Sequence, residues 1–228
     1  MNDLPEDLKV GLRVYGHRYS SKSAQTCQDT ELVVPLAKLD RERIMKIATG
    51  LKPRGETPLI RSILKSVGDL KAAGGGSVIL ITDGEESCKG NAMAAAKEIT
   101  ASGVRLTLNI VGFTLKSETV ENELGVLAGS TGGRYYDAQN GAQLSRAVMM
   151  AAINRLPYDI LDAKGKVLVS VQTSELSRDL VPGEYRIRIN ALGQILEESL
   201  TIVPNQTTFL SLAVENNKFT LRREPVVR

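Results

Sequence analysis

The amino-acid sequence of 228 residues predicts a three-layer α/β domain followed by a smaller all-β domain. Apolar runs alternate with amphipathic helical stretches up to about residue 155, which indicates a mostly parallel sheet with helices on both faces. One of these runs, SVILIT, is apolar along most of its length, which is typical of a strand covered on both faces. The hydrophobic period changes near Pro157, so we place the first domain at residues 1–156 and the second at residues 157–228.

The first two predicted strands, residues 8–17 and 31–36, should form an antiparallel pair. Only a loop rich in Ser, Lys and Gln separates them, and this loop is too short for the helical crossover that parallel strands need. The expected sheet is therefore mostly parallel, with one antiparallel edge strand. A short helix with apolar residues at helical spacing is predicted over residues 40–51.

The predicted helix before SVILIT has clear start and stop signals. Thr57 can act as its N-cap, Pro58 suits its first turn, and the glycines at 74–76 end it. Apolar residues recur along it with the spacing of one buried helix face. The elements predicted after SVILIT are a helix at 90–102, a strand at 104–113, a helix at 117–130 with Ser117 as N-cap, a strand at 132–138 and a helix at 141–155.

The residues after Pro157 carry only strand patterns. A turn at 162–166 joins two strands, and in VPGEYRIRIN the side chains of Tyr185, Ile187 and Ile189 alternate with polar ones. The patterns QILEESLTIV, TTFLSLAV and KFTLRR follow without a helical stretch between them. They predict a small antiparallel β-sandwich of about 65–70 residues, immunoglobulin-like or carboxypeptidase-regulatory-like in kind.

The composition argues against several classes of protein. Apolar residues make up 42% and charged residues 24%, which is typical of a packed core and not of a disordered chain. No apolar run reaches the ~18–20 residues of a membrane span, and MNDLPEDLKV shows no secretory signal. The net charge of +3 is scattered along the chain, so nucleic acid is not expected as a partner. His17 is the single histidine, so neither a multi-histidine metal site nor a Ser–His relay is expected.

Polar oxygen groups are predicted to meet at the carboxyl edge of the parallel sheet, where open α/β sheets bind ligands. Asp83 ends the SVILIT strand and Thr57 lies in the loop entering the preceding helix, so a carboxylate and a hydroxyl can approach one point. Both are hard oxygen ligands suited to Mg²⁺ or Mn²⁺. Gly84 allows the turn, while Glu85 and Glu86 are expected to form a solvated negative rim. Two simpler interpretations stay open, Thr57 as a helix cap and Asp83 as a turn residue before glycine.

Five segments of the first domain carry a resemblance to a known family. They are GLRVYGHR, RGETPL, VILITDGEES, GVRLTLNIVGF and LAGSTGGRYYDA, in this order and within the strand–helix alternation. Residues 8–155 thereby resemble the von Willebrand factor A (VWA) domains, in their bacterial form. The resemblance implies a Rossmann-like sheet and a metal-ion-dependent adhesion site (MIDAS) that binds a protein partner. It further implies Thr57 as the metal-site threonine and Asp83 as the metal-site aspartate.

The sequence departs from this family at the first strand, which in the family ends in Asp-x-Ser-x-Ser. No aspartate of the chain opens that motif, and the resemblance starts at what would be the second strand. We therefore expect the first strand and first helix, roughly 30 residues by the size of a βα unit, to be missing. Without its central strand a sheet exposes the edges of both neighbours. We expect Mg²⁺, or Mn²⁺ or Ca²⁺, to bind the intact parent protein and to bind this chain alone weakly or not at all.

The two cysteines are expected to form a disulfide. Cys27 follows the strand that resembles the family's second, and Cys88 follows the one that resembles its fourth. Both loops should therefore emerge at the same sheet edge, beside the metal site. Because disulfides persist in oxidising compartments, we expect an extracytoplasmic location, in the periplasm or at the cell surface.

Three functions are compatible with these expectations. The first is a non-enzymatic adhesion module whose metal ion is completed by an acidic residue of a protein partner. The second is a metal-dependent hydrolase or phosphoryl-transfer enzyme using Asp83, Glu85 and Glu86, against which the sequence shows no nucleophile–base pair and no phosphate cradle. The third is a structural fragment without a ligand site. We expect the protein not to be an enzyme.

Overall fold

The computed structural model describes residues 8–153, 156–173, 178–191, 193–215 and 218–224. The chain divides into two compact units, Met1–Ala151 and Ala152–Arg228. The assignment of residues 1–156 and 157–228 as separate domains stays a prediction. None of the described helices has both the length and the apolar composition needed to cross a membrane.

The first unit alternates strands and helices. Its parallel sheet has three strands in the order β3-β4-β5. Strands β1 and β2 pair antiparallel, as predicted, but in the described residues they form a sheet of their own and not the edge of the parallel sheet. The elements are β1 Lys9–Tyr15, a 3₁₀ turn Thr26–Gln28, β2 Thr30–Lys38, α1 Arg41–Gly50, α2 Leu59–Lys71, β3 Gly75–Thr82, α3 Ala92–Ala101, β4 Arg105–Phe113, α4 Glu118–Gly129, β5 Tyr135–Ala138 and α5 Gly141–Ile153.

Side-chain caps fix the beginnings of three helices. Asp40 accepts a hydrogen bond from the Arg43 N–H at the start of α1, and Asn91 caps α3 in the same way. Ser117 accepts from the Val120 N–H at the start of α4, so its predicted role as N-cap is confirmed. Each cap satisfies one backbone donor that the first helical turn leaves without a partner.

Apolar side chains cover the parallel sheet on both faces. One cluster joins the inner faces of α2, α3 and α4 to alternate residues of β4, with Leu59, Ile63 and Leu108 almost fully buried. A second cluster packs α5 against the opposite residues of β4 and β5, around Val111 and Ala147. The period-2 alternation of β4 thus places successive side chains in two separate helical layers.

Strands β1 and β3 each have one edge without a strand partner in the described part of the chain. Strand β1 pairs with β2, and β3 pairs with β4. The Tyr15 hydroxyl donates across to the Ile81 carbonyl oxygen over 3.1 Å, so a tyrosine side chain bridges the two strands. Ile81 is 45% exposed. The prediction that SVILIT is covered on both faces is therefore wrong at Ile81.

Helix α2 holds the two sheets together, since it contacts β1, β2 and β3. The guanidinium of Arg13 on β1 donates two hydrogen bonds of 2.7 Å to the Asp69 carboxylate on α2. Both side chains are largely buried. A bidentate pair of this kind fixes orientation as well as distance, so it sets the position of the β1–β2 pair on the helix.

The second unit consists of antiparallel strands. A four-stranded sheet has the order β7-β6-β8-β9, and β10 and β11 form a hairpin. Its core contains Ile160, Val171, Ile187 and Leu200. From residue 157 onward no helix occurs among the described residues, while closure into a sandwich stays a prediction. The strands are β6 Pro157–Asp162, β7 Val167–Gln172, β8 Gly183–Ala191, β9 Gln194–Ile202, β10 Phe209–Glu215 and β11 Lys218–Glu224.

Candidate functional site

The structure brings the loops of Thr57 and Asp83 together at the carboxyl end of β3. Asp83 directly follows β3 and is exposed, and half-buried Thr57 lies two residues before α2. A Cβ atom built on Gly84 would lie 3.5 Å from the Thr57 hydroxyl oxygen. The hydroxyl therefore lies close to the residue next to Asp83, and one carboxylate and one hydroxyl share this edge.

The Thr57 hydroxyl does not cap α2, so the capping interpretation is wrong. Pro58 occupies the N-cap position of α2 and makes no side-chain cap. Thr57 contributes its carbonyl oxygen and not its hydroxyl, accepting a 3.0 Å hydrogen bond from the Leu59 N–H. Within the described residues the hydroxyl has no hydrogen-bond partner. No described residue thus competes with a ligand for its oxygen lone pairs.

Glu86 takes over the capping of α2. One carboxylate oxygen accepts from the Ile60 N–H over 2.9 Å, and the other accepts from the Cys88 N–H over 2.6 Å. The expectation that Glu86 is a solvated rim residue is therefore wrong, whereas Glu85 is exposed. Gly90 allows this close approach, because a Cβ there would lie 2.5 Å from the Ile60 Cβ.

Ser87 ties the Asp83 loop to the Thr57 loop. Its hydroxyl oxygen accepts a hydrogen bond of 2.8 Å from the Thr57 N–H, and its own N–H donates to the Thr57 carbonyl over 3.2 Å. Ser87 was not predicted as a site residue, because its place in the loop between β3 and α3 is the only signal that the sequence offers. The reciprocal pair holds the Thr57 backbone in place before any ligand binds.

The predicted disulfide between Cys27 and Cys88 is confirmed, with their Cα atoms 5.3 Å apart. Cys27 lies in the 3₁₀ turn between β1 and β2, and Cys88 lies between β3 and α3. The bond joins the loop of the antiparallel pair to the loop of the parallel sheet. It therefore fixes two sides of the candidate site covalently.

Asp29 organises the β1–β2 loop from a fully buried position. Its carboxylate accepts 2.7 Å hydrogen bonds from the Arg18 N–H and the Arg18 guanidinium, and a third from the Tyr19 N–H. Burial acts to raise the pKa of Asp29, but the Arg18 and Tyr19 donors outweigh it, so the pKa lies below its usual range. His17 lies in the same loop, 3.2 Å from the Glu31 carboxylate, in a loop-anchoring position.

Tyr15 adds a hydroxyl to the neighbourhood of Asp83. Burial raises the pKa of Tyr15, the nearby Thr82 side chain lowers it, and the Asp83 carboxylate raises it further. The sequence pattern placed Tyr15 on a strand and indicated nothing about the other sheet. Only the tertiary contact with Ile81 brings its hydroxyl to this edge.

The donor set suits a hard cation but is incomplete within the described residues. No group of three or more His, Cys, Asp or Glu side chains placed for a metal ion occurs in the described ranges. Asp83 and Thr57 supply oxygens, whereas Mg²⁺ takes about six oxygen ligands. A stable site at this edge would need further ligands from outside these ranges.

The chain is similar to two curated proteins of Bacillus subtilis strain 168. It is 33% identical over 150 residues to one named "Uncharacterized protein YwmD", and the matched region covers 63% of this chain and 66% of that protein. It is 30% identical over 143 residues to "Uncharacterized protein YwmC", and this match covers 60% of this chain and 62% of that protein. The chain therefore spans less than two thirds of the length of these relatives. No protein-family model matches the sequence.

One solved structure resembles the fold. It is the "von Willebrand factor type A from Catenulispora acidiphila", which matches with a TM-score of 0.52 over 82% of this chain and 54% of that chain. The sequence identity is 16%, so the similarity shows the fold alone. The chain thus has a VWA-like α/β fold, with a three-stranded parallel sheet and further antiparallel sheets.

Proposed function

We propose that the protein is a non-enzymatic protein-binding module with a divalent cation at the edge formed by Thr57 and Asp83. The observation that carries this is the Thr57 hydroxyl, which has no hydrogen-bond partner among the described residues and is held beside the Asp83 turn by the Ser87 contacts. A VWA-like fold supports an interaction role. Mg²⁺, Mn²⁺ or Ca²⁺ would supply an electrophilic centre that an acidic side chain of the partner completes.

The missing ligands, we propose, come from a strand outside the described residues that lies between β1 and β3. The unpaired edges of these two strands support this, because unpaired backbone N–H and C=O groups favour the addition of a strand. The exposed Ile81 lies at the same position. A strand ending in Asp-x-Ser-x-Ser would bring three oxygen side chains to the edge that holds Asp83.

The alternative of a metal-dependent hydrolase or phosphoryl-transfer enzyme required three free carboxylates. Glu86 uses both of its oxygens on backbone N–H groups, so it is not available as a base. Among the described residues, neither Asp83 nor Glu85 accepts a hydrogen bond from a Ser, Thr or Tyr hydroxyl, as a base that activates a nucleophile would. This favours binding over catalysis as the function of the site.

Calorimetric titration with Mg²⁺ tests the metal site. This chain should bind Mg²⁺ weakly or not at all, and a longer chain with a strand ending in Asp-x-Ser-x-Ser before residue 8 should bind it. In the longer chain Asp83→Ala should abolish binding. Asp137→Ala is the matched control, because Asp137 is an exposed carboxylate on strand β5 of the same parallel sheet. Equal affinity in the short and long chains, or equal behaviour of the two variants, contradicts the proposal.

A second titration tests the acidic partner group. With Mg²⁺ bound, the longer chain should bind N-acetyl-aspartate amide and not the isosteric N-acetyl-asparagine amide. Equal binding of the two compounds would contradict completion of the metal ion by a carboxylate.

We further propose an extracytoplasmic location. The Cys27–Cys88 disulfide supports it, because such bonds are rare in reducing compartments. Alkylation of free thiols in protein taken directly from cells tests it, since a cytosolic protein would present both cysteines as reduced thiols.

A further inference from the structure

A cleft opens beside the candidate site, between the loop that follows β3 and helix α4. Its volume is about 230 Å³. Small-molecule pockets usually enclose about 300–1,000 Å³, so this cleft has the size for one side chain and not for a whole small ligand. The residues that line it include Ile60, Glu85, Glu86, Lys89, Glu123 and Leu124.

The cleft combines an apolar floor with a negative rim. Ile60 and Leu124 are 6% and 4% exposed and belong to the main core, so the floor is rigid. Glu85 from the loop and Glu123 from α4 are exposed at the rim. Neither carboxylate has an ion-pair partner among the described residues, and neither does Lys89.

The carboxylates of the rim that remain open to a ligand are those of Glu85 and Glu123, because the third carboxylate, Glu86, already accepts hydrogen bonds. Both Glu86 oxygens accept backbone hydrogen bonds, from Ile60 and Cys88. The rim therefore presents two open carboxylates, contributed by two different elements. A cationic group between them would be attracted to both.

Arginine fits this combination better than the other basic side chains. Its aliphatic stem can lie on an apolar floor while its charged end stays at the rim. Its planar guanidinium carries five N–H donors, so it can serve two carboxylates at once, whereas a lysine ammonium is a point charge.

We propose that this cleft receives an arginine side chain of the partner protein, next to the acidic residue that the proposed function assigns to the metal ion. The inference rests on that proposed function for the identity of the partner as a protein. Asp83 and Glu85 are two residues apart, so their Cα atoms are at most about 7 Å from each other. One short segment carrying an acidic and a basic residue can therefore reach both places.

The test is an NMR titration of the ¹⁵N-labelled chain with N-acetyl-arginine amide, in the presence of a chelator. The chelator makes the result independent of the metal site. Saturable shifts should be confined to amides lining the cleft, including those of Glu85, Lys89 and Glu123. Glu85→Gln and Glu123→Gln should each weaken binding by about threefold, the scale of an exposed ion pair.

Two controls make the outcome decisive. N-acetyl-citrulline amide has the same shape without the charge and should not saturate. Glu98→Gln removes an exposed carboxylate from α3, outside the cleft, and should leave the titration unchanged. The proposal is overturned if the Glu85→Gln/Glu123→Gln double variant binds as the parent does, if citrulline binds equally, or if the shifts lie elsewhere. A failed Mg²⁺ titration would instead count only against the metal site.

Discussion

Ser87 and Thr57 exchange two hydrogen bonds, one of 2.8 Å from the Thr57 N–H to the Ser87 hydroxyl and one of 3.2 Å from the Ser87 N–H to the Thr57 carbonyl. Thr57 lies in the loop before α2, and Ser87 lies in the loop after β3. The Glu86 carboxylate and the Cys27–Cys88 disulfide join the same loops to their surroundings. The edge that carries Asp83 is therefore held in place by its neighbours before a ligand arrives.

Removal of the disulfide should destabilise the protein strongly. The cysteines are 61 residues apart in sequence, for which the chain-entropy model gives about 4 kcal/mol as an upper value. Cys27→Ser/Cys88→Ser should lower the free energy of unfolding accordingly in urea titrations under non-reducing conditions. Dithiothreitol should reproduce this loss in the parent and have no further effect on the variant. A parent protein insensitive to dithiothreitol would contradict the prediction.

Replacement of Glu86 should cost stability although the residue stands at the rim. Glu86→Ala leaves the Ile60 and Cys88 N–H groups without their acceptor, at a cost of about 1–3 kcal/mol. Urea titration should show this loss. The neighbouring Glu85→Ala is the matched control and should change the free energy of unfolding by less than about 0.5 kcal/mol, because Glu85 is exposed. Equal effects of the two substitutions would show that Glu86 is a surface carboxylate.

The Asp29 carboxylate should contribute stability that acid removes. Its pKa is lower in the folded protein than the usual value of about 3.9 in an unfolded chain. The contribution is therefore present above about pH 4 and is lost as the pH falls through the folded-state pKa. Asp29→Asn should cost about 2 kcal/mol near neutral pH, because three hydrogen bonds to a charged acceptor are weakened.

Urea midpoints at about pH 7, 5 and 3 check this prediction. The difference in urea midpoint between the parent and Asp29→Asn should be the same at the two higher pH values. It should be smaller at the lowest pH, where the parent carboxylate also becomes protonated. A difference independent of pH would mean that the charge of Asp29 contributes nothing.

Tyr135 should ionise at a higher pH than an ordinary tyrosine. Burial, followed by the negative charges of Glu121 and Asp137, raises the pKa of Tyr135 to about 12. Its hydroxyl oxygen is buried without a hydrogen-bond partner within the described residues. Tyr135→Phe should therefore be neutral or stabilise the protein by up to about 1 kcal/mol near neutral pH.

Ionisation of Tyr135 at alkaline pH should lower the stability of the folded protein. The folded-state pKa exceeds the unfolded value of about 10, so this contribution to stability is complete below about pH 10 and is lost as the pH rises towards 12. Tyr135→Phe should remove the ultraviolet transition near pH 12. It should also remove the part of the alkaline loss of stability that ionisation of Tyr135 causes. A transition near pH 10 assigned to Tyr135 would contradict burial of its hydroxyl.

Gly112 should not tolerate a side chain. A Cβ atom at this position would lie 2.1 Å from the Tyr135 hydroxyl oxygen and 2.8 Å from the Tyr135 Cζ. Gly112→Ala should destabilise the protein by about 1–3 kcal/mol, the usual cost of overpacking. Gly129→Ala is the control, since a Cβ there meets nothing within 4 Å. Tyr135→Phe should rescue Gly112→Ala only in part, because the Cζ contact remains.

Much of the fold was determined by local sequence patterns. The alternation of strands and helices, the antiparallel β1–β2 pair and the Ser117 cap all depend on residues close together in the chain, and the structure agrees with them. The Cys27–Cys88 bond was also predictable, because the loops after β1 and β3 were expected to emerge at one edge.

The tertiary structure alone decided which side chains of the candidate site are free and which are used. The Glu86 carboxylate meets the Ile60 N–H across 26 residues, and the Tyr15 hydroxyl meets the Ile81 carbonyl across 66. Neither contact has a periodic signal, because both depend on how separate elements pack. The exposure of Ile81 has the same origin: an apolar residue predicts burial only when another element lies over it.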